Sequence, residues 1–258
     1  MDIAIITGAS SGIGKEFLFQ ANSYINVDEI WVISRNEKEL ESLKLITKFK
    51  LRILPLDLTK DSSLKKIKEL LDNEKPNIKL LINSSGYGKM GDFDQIALED
   101  DMGMIDLNIK ALVAITRFST PYMTNGARII QMASRAGFYP LPYMTTYAAS
   151  KSFVLSYSEA LAMELKPKKI RVVAVCPSFV KTKFISRADS KENDKFRNFG
   201  KLYNASDIVK RAYHDAYKTK KLVSIYGGEV KFTKFMARFL CIKSQMKIFL
   251  HMQKKKVN

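Results

Sequence analysis

Cysteine, histidine and tryptophan are all scarce in this sequence: two, two and one in 258 residues. Cys176 closes an apolar run and Cys241 lies in a basic stretch, a placement that excludes a disulfide framework. His214 and His251 stand alone among polar or basic neighbours, so no metal site is expected. Long apolar runs are missing too. The longest uncharged stretch, Ala136–Ser150, falls short of the ~18 apolar residues a spanning helix needs and contains two prolines and a glycine, so no transmembrane span is expected. The first apolar run, Ile3–Ile6, meets a glycine turn at once and leaves no room for an export signal; the cytoplasm is the expected location. Acidic residues are the last scarcity, 26 against 43 basic, for a net charge of +17. Such a field attracts a phosphate-bearing cofactor, an acidic protein or an anionic membrane surface, or it is simply the solvated surface that scattered lysines make. Aromatic and basic residues do not interleave as in nucleic-acid-binding motifs, so no nucleic acid partner is expected.

What is present is an apolar fraction of 46%, enough for one large core. Short β-branched runs alternate with longer amphipathic segments. The predicted strands are Ile3–Thr7, Glu29–Ser34, Leu51–Pro55, Leu80–Asn83, Arg128–Met132, Arg171–Cys176 and Leu222–Tyr226. Two of the helices between them are clear: Glu37–Thr47 behind Asn36 as a cap, and a helix ending at Tyr217 behind Ser206 or Asp207. The alternation predicts an α/β, Rossmann-like, doubly wound fold, a seven-stranded and mostly parallel sheet flanked by helices on both faces. Residues 1–228 are read as that single domain and 229–258 as a basic, amphipathic C-terminal extension. The stretch Phe179–Tyr203 lacks periodicity, as functional loops do.

Directly after the first strand, Thr7-Gly8-Ala9-Ser10-Ser11-Gly12-Ile13-Gly14 opens a helix. Glycines there let the backbone turn tightly and approach a pyrophosphate, whose charge free N–H groups and the helix dipole stabilise. Tyr147 and Lys151 stand four apart, so on a helix they share a face. The lysine is expected to favour the phenolate of a tyrosine that is otherwise a sluggish base at neutral pH. A second Tyr-x-x-x-Lys pair, Tyr217 and Lys221, has Asn204 thirteen residues before its tyrosine, where the first pair has Ser134. The first pair is therefore preferred.

Glycine spacing and the Ser134, Tyr147, Lys151 set together resemble the classical short-chain dehydrogenase/reductase family over residues 1 to about 228. The resemblance implies Tyr147 as general acid/base, Ser134 as hydrogen-bond partner of the substrate oxygen and Lys151 as the residue that binds the nicotinamide ribose. It implies Asn108 as the residue holding a water in a proton relay. Gly8, Ser10, Ser11, Gly12, Ile13 and Gly14 would cradle the cofactor phosphates. Asp57, Leu58, Asn83 and Gly86 would lie along the adenosine, and Pro177, Val180 and Thr182 beside the nicotinamide. Two departures stand out: Asn83-Ser84-Ser85-Gly86 replaces the family's Asn-Asn-Ala-Gly, and Pro177-Ser178 replaces its Pro-Gly.

Cofactor choice follows from charge after the second strand. Arg35 offers a planar fork suited to a ribose 2′-phosphate, where an acidic side chain would select NAD, so NADP(H) is expected. The substrate is expected to be a small-molecule carbonyl or alcohol, lined by Gly137–Met144 and by the loop after Thr182. That loop is basic through Lys181, Lys183, Arg187, Lys191, Lys195, Arg197 and Lys201. A hydrophobic ketone, a steroid-like alcohol or an acyl compound would fit. A non-catalytic NADP-binding or regulatory protein on the same fold is the alternative class, and an epimerase or dehydratase of the extended branch the runner-up among enzymes. Family members commonly pair, so a homodimer or homotetramer is expected; small Ser152, Ser156 and Ala160 at four-residue spacing would permit close helix approach. In the extension, Phe232, Phe235, Met236, Phe239 and Leu240 fall on one helical arc, with a break expected near Ile242–Ser244 and a second stripe from Met246, Phe249 and Leu250. This segment is expected to dock on a sister subunit, to cover its own active-site mouth, or to touch a membrane surface peripherally.

Overall fold

A computed structural model of the chain describes residues 1–182, 184–188 and 200–254, apart from the side chains of 186, 187 and 254. Lys183, Lys191, Lys195 and Arg197 of the basic loop, and Lys255 and Lys256 of the tail, lie outside the described residues. Among the described residues, seven strands form one parallel sheet in the order β3-β2-β1-β4-β5-β6-β7. They are β1 (Asp2–Thr7), β2 (Glu29–Ser34), β3 (Lys50–Pro55), β4 (Asn77–Asn83), β5 (Arg128–Met132), β6 (Arg171–Val175) and β7 (Val223–Ser224).

Side chains alternate across each strand, so the sheet feeds two cores. From β1, Ala4 and Ile6 face a layer that holds Phe17 and Leu18 of α1 (Gly12–Gln20), Leu40 of α2 (Glu37–Glu41), and Ile208, Ala212 and Tyr213 of α8 (Ala205–Lys218). Ile3 and Ile5 face the opposite layer, with Leu64, Ile67 and Leu71 of α3 (Asp61–Glu74), Ile115 of α5 (Leu112–Ser119) and Ala162 of α6 (Thr145–Glu164). Helices on both faces are the expected doubly wound arrangement. The only tryptophan, Trp31, is fully buried in the second layer; its Nε1 donates to Glu29 at 2.9 Å and the Arg52 guanidinium lies 4.7 Å over its ring.

Local differences from the predicted elements have local causes. The helix predicted over Glu37–Thr47 stops at Glu41 and tightens into a 3₁₀ turn at Ser42–Leu45, where the Ser42 hydroxyl donates to the Glu39 carbonyl at 2.7 Å. Asn36 does cap it, accepting from the Glu39 N–H. Asn204, not Ser206 or Asp207, precedes α8 as its cap residue, leaving Asp207 in the first turn to meet the helix dipole. Strand β7 is shorter than Leu222–Tyr226. Its ladder bonds run from Ala174 N to Leu222 O and from Cys176 N to Ser224 O. Asp215, fully buried, secures this edge by accepting from the Ser224 hydroxyl at 2.9 Å and from Arg211 Nε at 2.8 Å.

Between α4 (Leu98–Ile105) and α5 the chain makes a wide π-helical turn, Asp106–Ala111, carrying the buried Asn108. A short α7 (Phe184–Ala188) follows β6. After β7, Gly227 takes φ +97°, which favours glycine, and turns the chain into α9 (Gly228–Met236). The tail break comes at 237–241, before the expected Ile242–Ser244, and α10 (Ile242–Lys254) begins there. Among the described residues no helix is long and apolar enough to cross a membrane.

Candidate active site

The strand order reverses between β1 and β4, and a cleft of about 970 Å³ opens at the C-terminal ends of the strands beside that reversal. Gly8, Ser10, Ser11, Gly12, Ile13 and Gly14 line one end. Two of these glycines answer to close approach: a Cβ on Gly14 would stand 2.2 Å from the Gly8 carbonyl oxygen, and one on Gly8 would meet the Ser84 backbone at 2.9 Å. Thr7 braces the facing loop, its Oγ1 accepting from the N–H groups of Ser84 and Ser85 at 3.0 and 3.1 Å. The serines that replace the family's Asn-Ala are thus held by their backbone, and both line the cleft beside Gly86.

Arg35, Asp57 and Leu58 line the adjoining wall. Asp57 is tied to its own turn, accepting from the Thr59 N–H and hydroxyl at 3.1 and 2.8 Å. Burial opposes its ionisation, yet these hydrogen bonds and the nearby Arg35 hold the carboxyl below its ordinary value. The Ser34 hydroxyl, buried in this wall, has no hydrogen-bond partner. A glycine cradle at a helix N-terminus beside an exposed guanidinium fits a dinucleotide.

At the other end Ser134, Tyr147 and Lys151 line the cleft together. Ser134 follows β5 at the mouth of the sheet; Tyr147 and Lys151 lie one turn apart on α6. The Ser134 side chain acts to lower the Tyr147 pKa, yet burial dominates and pushes the phenol up to about 12. Lys151 reaches into the same end of the cleft. Its ammonium lies 5.8 Å from the Tyr147 ring centre and donates to the Met132 carbonyl at 2.8 Å, while burial brings its own pKa down to about 8. A buried carbonyl therefore competes with the phenol for the lysine. Pro177, Val180 and Thr182 complete the wall.

Two expected site residues stand behind the cleft instead of lining it. Asn83 donates to Thr116 and Gln131 at 3.0 and 2.9 Å, cross-linking β4, α5 and β5 beneath the floor. Asn108 accepts from the Tyr87 N–H at 3.1 Å and donates to the Tyr87 carbonyl and the Ser150 hydroxyl at 2.9 and 3.1 Å. It thereby fixes the Gly86–Tyr87 loop against α6. The rejected pair is structural: the Arg128 guanidinium sits 3.9 Å over the Tyr217 ring, away from the cleft.

Of the stretch expected to line the substrate end, Tyr139, Leu141 and Met144 do so, while Phe138 packs with Ile225 in another cluster. The remaining apolar wall comes from Phe179, from Phe184, whose ring lies 5.5 Å from that of Tyr147, and from Phe249 of α10. Phe249 is buried against Met90, Met104, Leu141 and Met144, so the tail covers part of its own site. The Pro177-Ser178 departure is explained by the same tail: the Ser178 hydroxyl donates to Glu229 of α9 at 2.8 Å, and Arg135 lies 3.6 Å from that carboxylate.

The family model described as short chain dehydrogenase matches residues 2–193. A protein of Pyrenophora tritici-repentis named very-long-chain 3-oxoacyl-CoA reductase is 34% identical over 193 residues, which are 69% of this chain and 55% of that protein. The chain thus spans about half that relative's length. A Bacteroides thetaiotaomicron protein named 3-ketodihydrosphingosine reductase is 32% identical over 193 residues, 74% of this chain and 68% of that one. Among solved structures, a short-chain dehydrogenase from Sphingobium yanoikuyae in complex with NADPH superimposes with a TM-score of 0.76, covering 100% of this chain and 98% of that one at 24% identity.

Proposed function

Because the chain belongs to the short chain dehydrogenase family, we propose that it is an NADP(H)-dependent oxidoreductase acting on the carbonyl or secondary alcohol carbon of a hydrophobic, long-chain substrate. The observation that carries this is the convergence of Ser134, Tyr147 and Lys151 between a glycine cradle and an apolar wall in one cleft. Bound there, the nicotinamide supplies or accepts the hydride. Tyr147 moves the proton at the substrate oxygen, and Ser134 holds that oxygen by hydrogen bonding and orients the phenol. Lys151 holds ribose hydroxyls and carries charge at neutral pH. Arg35 and Ser34 take the 2′-phosphate. Asn108 acts as a positioning residue through the Tyr87 backbone and Ser150.

A long-chain ketone is supported by the aromatic and methionine-rich wall and by two relatives whose names specify 3-oxo lipids. A cytoplasmic location belongs to the same reading; Cys176 and Cys241 are both free, which fits a reducing compartment. So does a homo-oligomer. Ser152, expected at a helix contact, is instead tied to the Gly137 carbonyl at 3.1 Å, but Ala149, Phe153, Ser156, Ala160 and Met163 make an exposed row along α6. Residues 1–228 are taken as the catalytic unit and 229–258 as its extension. The deciding test is a panel of 3-oxoacyl thioesters, long-chain ketones and steroid alcohols assayed with NADPH and NADP. Turnover of the long-chain ketones with NADPH is the expected result, and inactivity across the panel overturns the reading.

A further inference from the structure

The tail divides its surface three ways. One side packs on the body: Val230 is fully buried, and Glu229 accepts from Ser178. A second side is apolar and open, with Phe232, Phe235, Phe239 and Ile242 exposed by 64, 58, 69 and 57%. Phe235 and Phe239 already cluster, their ring centres 4.8 Å apart. The third side is basic, with Lys231, Arg238, Lys243 and Lys247 all exposed. Between residues 229 and 253 five basic residues face one acidic residue, Glu229, whose carboxylate is engaged by Ser178.

We propose that the open face of α9 and the start of α10 docks on an anionic lipid bilayer. Three aromatic rings and an isoleucine in water are costly, and a partner must offer apolar depth to take them. The basic flank decides which partner. A second copy meeting this face about a twofold axis would set Lys231, Arg238 and Lys243 against the same residues of its mate, like against like. An anionic membrane interface offers what neither water nor a second copy does: acyl chains for the rings and negative headgroups for the flank. A protein carrying +17 is drawn to such a surface before contact. Docking also orients the molecule, because the helix that begins at Ile242 on this face carries Phe249 into the apolar wall of the cleft.

The test is co-sedimentation of the full chain with vesicles of phosphatidylcholine, with and without phosphatidylglycerol. No turnover is read, so the result stands apart from the proposed activity. The wild-type protein is expected to pellet with the anionic vesicles and to be released by salt. Phe232→Ser with Phe235→Ser should weaken that binding at least about tenfold. Lys231→Gln with Arg238→Gln should weaken it roughly tenfold or more, and on anionic vesicles only. All four positions are exposed, so the fold should survive the changes. Failure of the wild type to bind overturns the proposal, as does unchanged binding by either variant. A Phe variant that lowers the oligomeric state while the wild type ignores vesicles shows the face to be a contact between copies.

Discussion

The ammonium of Lys151 donates to the Met132 carbonyl at 2.8 Å, so the buried lysine is held by the end of β5 and not by the phenol one turn before it. Burial holds its pKa near 8, against 10.5 for an ordinary lysine. Between these values the unfolded chain binds more protons than the folded one, so stability rises with pH through that window. Below pH 8 the full cost of the buried charge remains. Lys151→Met is therefore expected to stabilise the protein at pH 7 by about 1–2 kcal/mol, less than the burial cost because the Met132 carbonyl loses its donor. The gap should shrink by pH 10. Urea unfolding of both proteins at the two pH values checks it, and a pH-independent gap contradicts it.

Tyr147→Phe is expected to lower kcat by about 10²- to 10⁴-fold while NADPH affinity, read by fluorescence titration, changes little. With the phenol near 12, Tyr147 remains a proton donor across neutral pH. Ketone reduction should then be flat from pH 6 to 9 in order of magnitude, and alcohol oxidation should climb with pH as phenolate becomes available. An oxidation rate that falls with rising pH would count against the assignment.

Arg35→Asp should move the NADPH/NADH ratio of kcat/KM toward NADH by at least about tenfold, since a carboxylate repels a 2′-phosphate and accepts from a 2′-hydroxyl. Ser34→Ala, which removes the unpartnered hydroxyl of the same wall, should weaken NADPH more than NADH. Equal losses for both cofactors would place the phosphate elsewhere.

Phe249→Ala should raise KM for a long-chain ketone about tenfold and leave the rate on a small, water-soluble ketone nearly unchanged, because it opens only the far wall of the cleft. It should also destabilise by about 3 kcal/mol, the cost of a cavity at a buried ring. A proportional loss on both substrates would make Phe249 a purely structural residue.

Short-range chemistry was legible in the chain: alternation located all seven strands, the Asn36 cap was correct, and the glycine turn and the Ser134, Tyr147, Lys151 spacing meet in one cleft. What sequence could not supply was contact between distant segments. Nothing about Phe249 distinguishes it from the exposed Phe239 ten residues earlier until α10 folds back over the cleft. Asn83 and Asn108 sit where a binding motif puts them, but spacing does not show that Asn83 donates to Thr116 and Gln131 or that Asn108 donates to Tyr87 and Ser150. The Lys151 bond to Met132 was hidden for a similar reason, since spacing on a helix says which side chains share a face but not that a strand-end carbonyl accepts from the same ammonium.

Trp31 has a practical consequence. With one indole in the chain, fully buried between β-sheet and helices and braced by Glu29 and Arg52, intrinsic fluorescence is a single-site reporter of the sheet's β1–β3 half. Its emission should be blue-shifted in the native protein and move red only when that half opens to water. Events at the tail, thirty residues of sequence with no tryptophan, are spectrally silent. A tryptophan introduced by Phe235→Trp would therefore read the tail's surroundings against a fixed internal standard, the two colours separating what happens at the periphery from what happens in the core.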